Sequence, residues 1–317
     1  MTVDRSTRIL IAVDASNFMY TCVFSAFKNW RKIHSDEAEM YVGDKWNTEQ
    51  DNLPDLTRLQ SFRKSLNLEV QGRYGYINGV VSKNHEDAVE SATGVDIVFA
   101  FDGNLDHNFR KRLYPEYKAQ RKHQRQAFDV QSAKHYIENV VFAELNLEET
   151  KGVKFIKLDG CESDDIISTI VNRCGDYMLK IVFSSDRDFL QLKDIHQYNC
   201  WGEAIRRNIG DLTEEPLKRD EFLLWKIIRG DTSDNIKNVF PKYGDKKSLQ
   251  LVMDRDRLKR MLREDNSAAE RFQLNMTLID FRRIPKDVEE RIWKDAVEKL
   301  SRVDEPSEFS LEECMVV

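Results

Sequence analysis

Apolar and polar residues fall along this chain in blocks that predict strand after helix. Residues 8–14, RILIAVD, are a short apolar run ending in Asp14, and ASNFMYTCVFSAF follows with helical spacing. YGYINGVVSKNHEDAV (74–89) reads as a second helix, VDIVFAFDG as a strand closed by Asp102 and Gly103, and residues 129–157 as a helix and a return strand, VKFIKL. Ser163 or Asp164 is the expected N-cap of a helix carrying IISTIV. KIVFSS is a further buried strand, and a short strand near His196 to Cys200 precedes a turn at Trp201 and Gly202. Continuous apolar runs separated by helices predict parallel strands covered on both faces. The fold class is therefore α/β, with a mainly parallel central sheet flanked by helices. Residues 28–70 are polar with few periodic apolar positions, and read as an insertion with a helix or two of its own. From about Thr213 the chain becomes mainly helical, starting with the amphipathic RDEFLLWKIIR (219–229). The expected division is 1–210 and 211–317.

Acids recur at the ends of the predicted strands. The stretch from Leu158 to Leu192 holds Glu162, Asp164 and Asp165, then Asp186 and Asp188, each group beside an apolar run rather than in a charged face. Clustered carboxylates repel one another when desolvated, so something positive belongs between them. Acids in a first helical turn also complement the helix dipole, and a DxD after a strand is often only a turn. Asp14 and Asp102 add two more strands delivering acid to the same edge, where open α/β sheets collect ligands.

Directly after Asp102 the character changes. Residues 104–128 carry Arg110, Lys111, Arg112, Lys118, Arg121, Lys122 and Arg125, with Phe109, Tyr114, Tyr117 and Phe128 among them. Cations that neutralise phosphates and rings that stack bases suit a flexible single strand, although a solvated basic helix has the same composition. Farther on, RGDTSDNIKNVFPKYGDKKSLQLV places Asp231 and Asp234 in a Gly-containing loop between helices. Lys242, Lys246 and Lys247 stand at the start of the second helix, an arrangement that presents backbone N–H groups and lysines to phosphates, though a plain surface turn reads the same way.

Overall charge does not announce a nucleic-acid partner: 49 Lys and Arg stand against 55 Asp and Glu, a net charge of −6, so a polyanion would need a local patch. The five cysteines form no CxxC pair, the six histidines are scattered, and no signal peptide or membrane-length apolar run is legible. The expectation is a soluble cytoplasmic protein without a zinc site. The last residues, EPSEFSLEECMVV, are acidic and then apolar, a frayed end or a docking tail.

In order, LIAVDASNFMY, VFAFDGNLDHNFRKRLYPEYKAQR, LDGCESDDIIS, IVFSSDRDFLQL and IIRGDTSDNI resemble the 5′ nuclease, or flap endonuclease, superfamily, and within it the T-even bacteriophage ribonuclease H type of 5′-3′ exonuclease. The resemblance implies a PIN-like nuclease core, a helical arch at about 104–128 and a helix-loop-helix DNA-binding motif in the C-terminal helical region. It implies two Mg2+ ions, with Mn2+ able to substitute: one held through Asp14, Asp102, Glu162, Asp164 and Asp165, the other toward Asp186, Asp188, Asp231 and Asp234. Oxygen-only ligation suits such ions. Lys118 and Arg121, with Arg110 as a third candidate, would contact the scissile phosphate, and Tyr117 would stack a base. Lys111, Arg112, Lys122, Arg125, Lys242, Lys246 and Lys247 would bind nucleic acid.

The implied partners are branched or nicked DNA, an RNA–DNA hybrid with a 5′ end and a phage single-stranded-DNA-binding protein, met by a monomer in the infected cell's cytoplasm. Where relatives carry a hairpin resembling GIGPKTA, this chain reads NVFPKYGDKKS. The missing glycines weigh against close backbone approach to duplex DNA and against the potassium ion some relatives hold there. Competing readings are a DNA-binding relative with little catalysis and a haloacid-dehalogenase-type phosphatase using the DRD sequence. The phosphatase motif wants Thr or Val where Phe189 and Leu190 stand.

Overall fold

Side chains that alternate along a strand point to opposite faces, and here both faces are apolar. Along β1 (Arg8–Asp14), Ile9, Ile11 and Val13 pack into one core while Leu10 and Ala12 pack into another. The computed structural model describes residues 5–42, 53–123, 126–147, 150 and 152–300. In chain order β1 is followed by α1 (Ala15–Ile33), α2 (Ser35–Tyr41), α3 (Gln60–Asn84), α4 (Glu86–Ser91), β2 (Gly94–Asp102) and the short α5 (Phe109–Leu113). Then α6 (Val130–Tyr136) runs through a π-helical turn, Ile137–Val141, into α7 (Phe142–Glu144), followed by β3 (Val153–Leu158), α8 (Ser163–Arg173), β4 (Leu179–Phe183) and β5 (His196–Tyr198). The rest is helical: α9 (Arg219–Arg229), α10 (Asp245–Met253), α11 (Arg255–Glu264), α12 (Asn266–Ile279) and α13 (Lys286–Leu300).

The five strands form one all-parallel sheet in the order β3-β2-β1-β4-β5. The chain winds from β1 outward to β3 and then crosses to β4, so the switch point lies between β1 and β4. Ligand crevices in such sheets open at the carboxyl ends of strands at that point. Helices α1, α3 and α6 cover one face, and α8 and α13 cover the other.

Two expectations change. Residues 60–70 are not an insertion but the first half of α3, which starts at Gln60 rather than Tyr74. Phe62, Leu66 and Val70 are fully buried, each worth roughly 1.5–3 kcal/mol of burial, and their spacing was masked by the polar residues between them. The N-cap of α8 is Glu162, not Ser163 or Asp164; its backbone N–H donates to Asp165 Oδ2 at 3.1 Å.

Helices α9 to α12 build a smaller core around Phe222, Ile228, Phe240 and Leu251. The chain then returns: Val288, Ile292, Ala296 and Leu300 of α13 pack on the sheet. Among the described residues no helix is long and apolar enough to cross a membrane.

Candidate metal centre and nucleic-acid interface

The parallel sheet delivers Asp14, Asp102, the start of α8 and the turn after β4 to one edge. Ser163 ties the first three together: its Oγ donates to Asp14 Oδ1 at 3.0 Å and its backbone N–H to Asp102 Oδ1 at 2.8 Å. Ser184 ties in the fourth, donating through Oγ to Asp14 Oδ2 at 2.9 Å and accepting from the Asp186 N–H at 3.0 Å. Ser16 Oγ donates to Asp102 Oδ2 at 2.6 Å, and Asp14 Oδ1 also accepts the Asn17 N–H. Burial, reinforced by the charge of Asp102, pushes the Asp14 carboxyl up to about 6.

At the start of α8, Glu162, Asp164 and Asp165 bring carboxylate oxygens within 4.8 Å of one another. Two cations reach in from the basic segment. Arg110 Nη1 lies 2.6 Å from Asp165 and 3.2 Å from Glu162, and Lys118 Nζ pairs with Glu162. Burial alone would raise Glu162, but Lys118 and Arg110 outweigh it and hold this carboxyl below its ordinary value. Asp164 is different. Burial, followed by the Glu162 charge, holds it well above the ordinary range, and its buried Oδ1 has no hydrogen-bond partner. An orphaned oxygen beside two further carboxylates is a donor set that fits a hard divalent cation.

The helical region supplies the opposite wall. Asp188 and Asp231 share Lys226, whose Nζ pairs with Asp188 and lies 3.1 Å from Asp231. Burial works against the Asp231 charge, but Lys226 and Ser233 reverse it and hold that carboxyl low. Gly230 makes this loop possible: at φ +66 it passes so close to the strand-like return that a Cβ would stand 2.4 Å from the Ile236 carbonyl oxygen. Asp234 takes Arg121 at 2.7 Å and Lys118 at 3.8 Å. Lys118 itself sits in the left-handed region at φ 56, a strained conformation of the kind that concentrates at functional sites.

The basic segment therefore does not stand free. Lys118 N–H donates to the Asp234 carbonyl at 3.0 Å, and the Gln120 side-chain amide donates to the carbonyls of Thr232 and Ser233 at 3.0 and 2.9 Å. Arg110 is 2 % exposed and spends its guanidinium on Glu162, Asp165 and the Leu278 carbonyl, so it stands here as an internal counter-ion. Tyr117 offers no stacking face: it is 3 % exposed, and its hydroxyl contacts Glu162 at 3.0 Å and Asp234 at 3.1 Å. Phe109 and Phe128 are core residues as well.

Lys111 is half-buried and Arg112 exposed on α5, and Lys242, Lys246 and Lys247 are exposed around the start of α10. Arg125 and the side chain of Lys122 lie outside the described residues, as do residues 301–317. Asp186 is exposed at the mouth of a cleft of about 530 Å³ shared with Asn17, Arg187, Trp225 and Lys226. Beyond Asp102 a second cleft of about 950 Å³ is lined by Ser16, Arg121, Lys134 and His135. Lys226 escaped the sequence reading, although a lysine on the apolar face of RDEFLLWKIIR was a signal that a buried acid waited for it.

The model of the 5′-3′ exonuclease N-terminal resolvase-like domain matches residues 56–217, just over half of the chain. The chain belongs to the 5′-3′ exonuclease family. Within this family, DNA polymerase I of Caldicellulosiruptor bescii is 27 % identical over 209 residues, covering 63 % of this chain and 22 % of that protein. A 5′-3′ exonuclease of Mycoplasmopsis pulmonis is 29 % identical over 147 residues, covering 45 % of this chain and 46 % of the other. This family member thus spans less than half the length of those relatives. A crystal structure of the bacteriophage T5 flap endonuclease, a pseudo-enzyme–product complex with DNA and metal ions, superposes over 93 % of this chain and 100 % of its own, with a TM-score of 0.56 at 17 % identity. That match establishes a shared fold.

Proposed function

We propose that this chain is a divalent-metal-dependent, structure-specific 5′ nuclease that hydrolyses phosphodiesters of RNA primers and of 5′ DNA ends or flaps in phage DNA replication. The observation that carries it is the buried, partnerless Oδ1 of Asp164 beside Glu162 and Asp165, on the strand edge that also holds Asp14, Asp102 and Asp186. Family membership and the fold shared with a flap endonuclease seen with DNA and metal ions support the same reading.

Asp14, Asp102, Glu162, Asp164 and Asp165 would hold one Mg2+, and Asp186, Asp188, Asp231 and Asp234 would lie toward a second, with Mn2+ able to substitute. When bound, such ions activate water and neutralise charge on the phosphate. The chain's own residues do the rest. Ser163, Ser184 and Ser16 fix the carboxylate orientations, and Lys118 and Arg121 face the charge that grows on the phosphoryl oxygens. Lys111, Arg112, Lys122 and Arg125 would track the single strand. Lys242, Lys246 and Lys247, in a helix-loop-helix of a C-terminal domain beginning near residue 211, would hold duplex phosphates. We place the enzyme as a monomer in the infected cell's cytoplasm, with the phage single-stranded-DNA-binding protein as its partner.

The test is cleavage of 5′-labelled flap, nicked and RNA-primed duplexes in magnesium, with and without chelator. Short 5′ products that vanish with chelator are expected; a purified protein that leaves every substrate intact overturns the reading.

A further inference from the structure

An exposed tryptophan held from beneath by a buried arginine stands on a loop whose preceding residue, Cys200, reaches Asn17 at the acidic edge, and the reaction above does not use it. Arg73 of α3 is 7 % exposed, and its guanidinium carbon lies 3.8 Å from the centroid of the Trp201 ring. The guanidinium is fixed on three sides, by the Cys200 carbonyl at 2.9 Å, Ser25 Oγ at 2.8 Å and Glu69 at 2.6 Å. Trp201 is nevertheless 55 % exposed.

The loop that carries it is equally fixed. Asn199 Oδ1 accepts the N–H groups of Trp201 and Glu203 at 2.9 and 3.0 Å, and Asn199 Nδ2 donates to Glu203 at 2.8 Å. Next to it Gly202, at φ +76, lies so close to Tyr76 that a Cβ would stand 2.9 Å from that ring. Tyr76 is itself 50 % exposed. The Trp201 ring thus has a buried cation against it and is still more than half exposed.

The loop touches the acidic edge. Cys200 Sγ lies 3.6 Å from Asn17 Oδ1, the same oxygen accepts the Ser185 N–H at 3.1 Å, and the Asn17 N–H donates to Asp14 Oδ1, the N-cap of α1. A rigid, half-exposed ring costs apolar exposure that a solvated loop would avoid, whereas a π-face on a loop that reaches such an edge suits an unpaired base. We propose that Trp201, braced by Arg73, is a stacking platform for an unpaired nucleobase of the substrate strand. This rests on the nuclease reading and adds a positioning residue to it.

The experiment uses the full chain with 5′-flap oligonucleotides carrying 2-aminopurine at successive positions, bound in calcium and then cleaved in magnesium. Wild type is expected to quench the probe severalfold at one position near the junction, with the quench lost in Trp201→Ala and largely kept in Trp201→Phe. KM should rise roughly tenfold in Trp201→Ala while kcat stays within about twofold, as removal of one stacked base implies. An abasic nucleotide at that position should raise wild-type KM similarly, a measurement that needs no variant, and should leave the KM of Trp201→Ala unchanged. Equal emission at every position in wild type and Trp201→Ala overturns the proposal, as does an abasic penalty that Trp201→Ala shares. Stacking without any cleavage sinks the nuclease reading alone; cleavage without a Trp201-dependent quench sinks the platform alone.

Discussion

Lys118 and Asp234 lie 3.8 Å apart across the site, one from the basic segment that leaves the sheet after Asp102 and the other from the loop between α9 and α10. With Glu162 as its second partner, Lys118 is already aimed at negative charge before any substrate arrives.

Lys118→Ala should lower the single-turnover cleavage rate at least about a hundredfold, while the Kd for flap DNA in calcium shifts less than about threefold. Equal losses in rate and affinity would make Lys118 a binding residue only.

Asp164→Asn separates stability from chemistry. In the folded chain burial and Glu162 hold this carboxyl above its ordinary value, so the native state binds the extra proton and stability falls as pH rises past the ordinary carboxylate range. At pH 7.5 in chelator, the asparagine variant should therefore melt no lower than wild type, while the Tm gain on adding magnesium shrinks and cleavage drops about a thousandfold or more. A variant that melts lower and still gains the full magnesium increment would remove Asp164 from the ligand set.

Lys226→Met tests the second wall. Removing one member of a buried charge set leaves Asp188 and Asp231 uncompensated, at a cost of roughly 3–5 kcal/mol. Denaturant melts in chelator should show that loss, and added magnesium should recover part of it. Melts that match wild type would mean that the two acids never needed the lysine.

His85 gives the pH test away from the acids. Its ring nitrogen Nε2 lies 3.0 Å from the Tyr198 hydroxyl and its ring packs edge-on against His196 at 4.5 Å; burial and then His196 lower its pKa from the ordinary 6.5. A lowered pKa means that the unfolded chain binds the proton first, so stability is full above about pH 6.5 and is lost as pH falls through the folded value. Wild type should lose more Tm between pH 7.5 and 5.5 than His85→Gln does; parallel curves would deny His85 that role.

Asp14, Asp102 and the 162–165 and 186–188 acids were legible because buried parallel strands announce themselves as apolar runs, and the residue after each run must lie at one edge of the sheet. What sequence could not supply was the direction of side chains in the basic segment. Arg110 and Tyr117 sit among exposed cations yet turn inward, because Asp165, Glu162 and Asp234 offer more there than water does. The first half of α3 was missed for the opposite reason: Phe62, Leu66 and Val70 are only three core positions, diluted by the polar outer face of a long helix.

Lys118 and Arg121, the proposed phosphate contacts, already grip the carboxylates of Glu162 and Asp234. On the proposed reading an incoming strand would have to evict these internal surrogates, and loading of nucleic acid and the unlatching of the 104–123 segment from the 231–235 loop would become one event. Fewer solution ions are then set free than the cations alone would suggest, and affinity should fall off with added salt more gently than a count of lysines and arginines predicts.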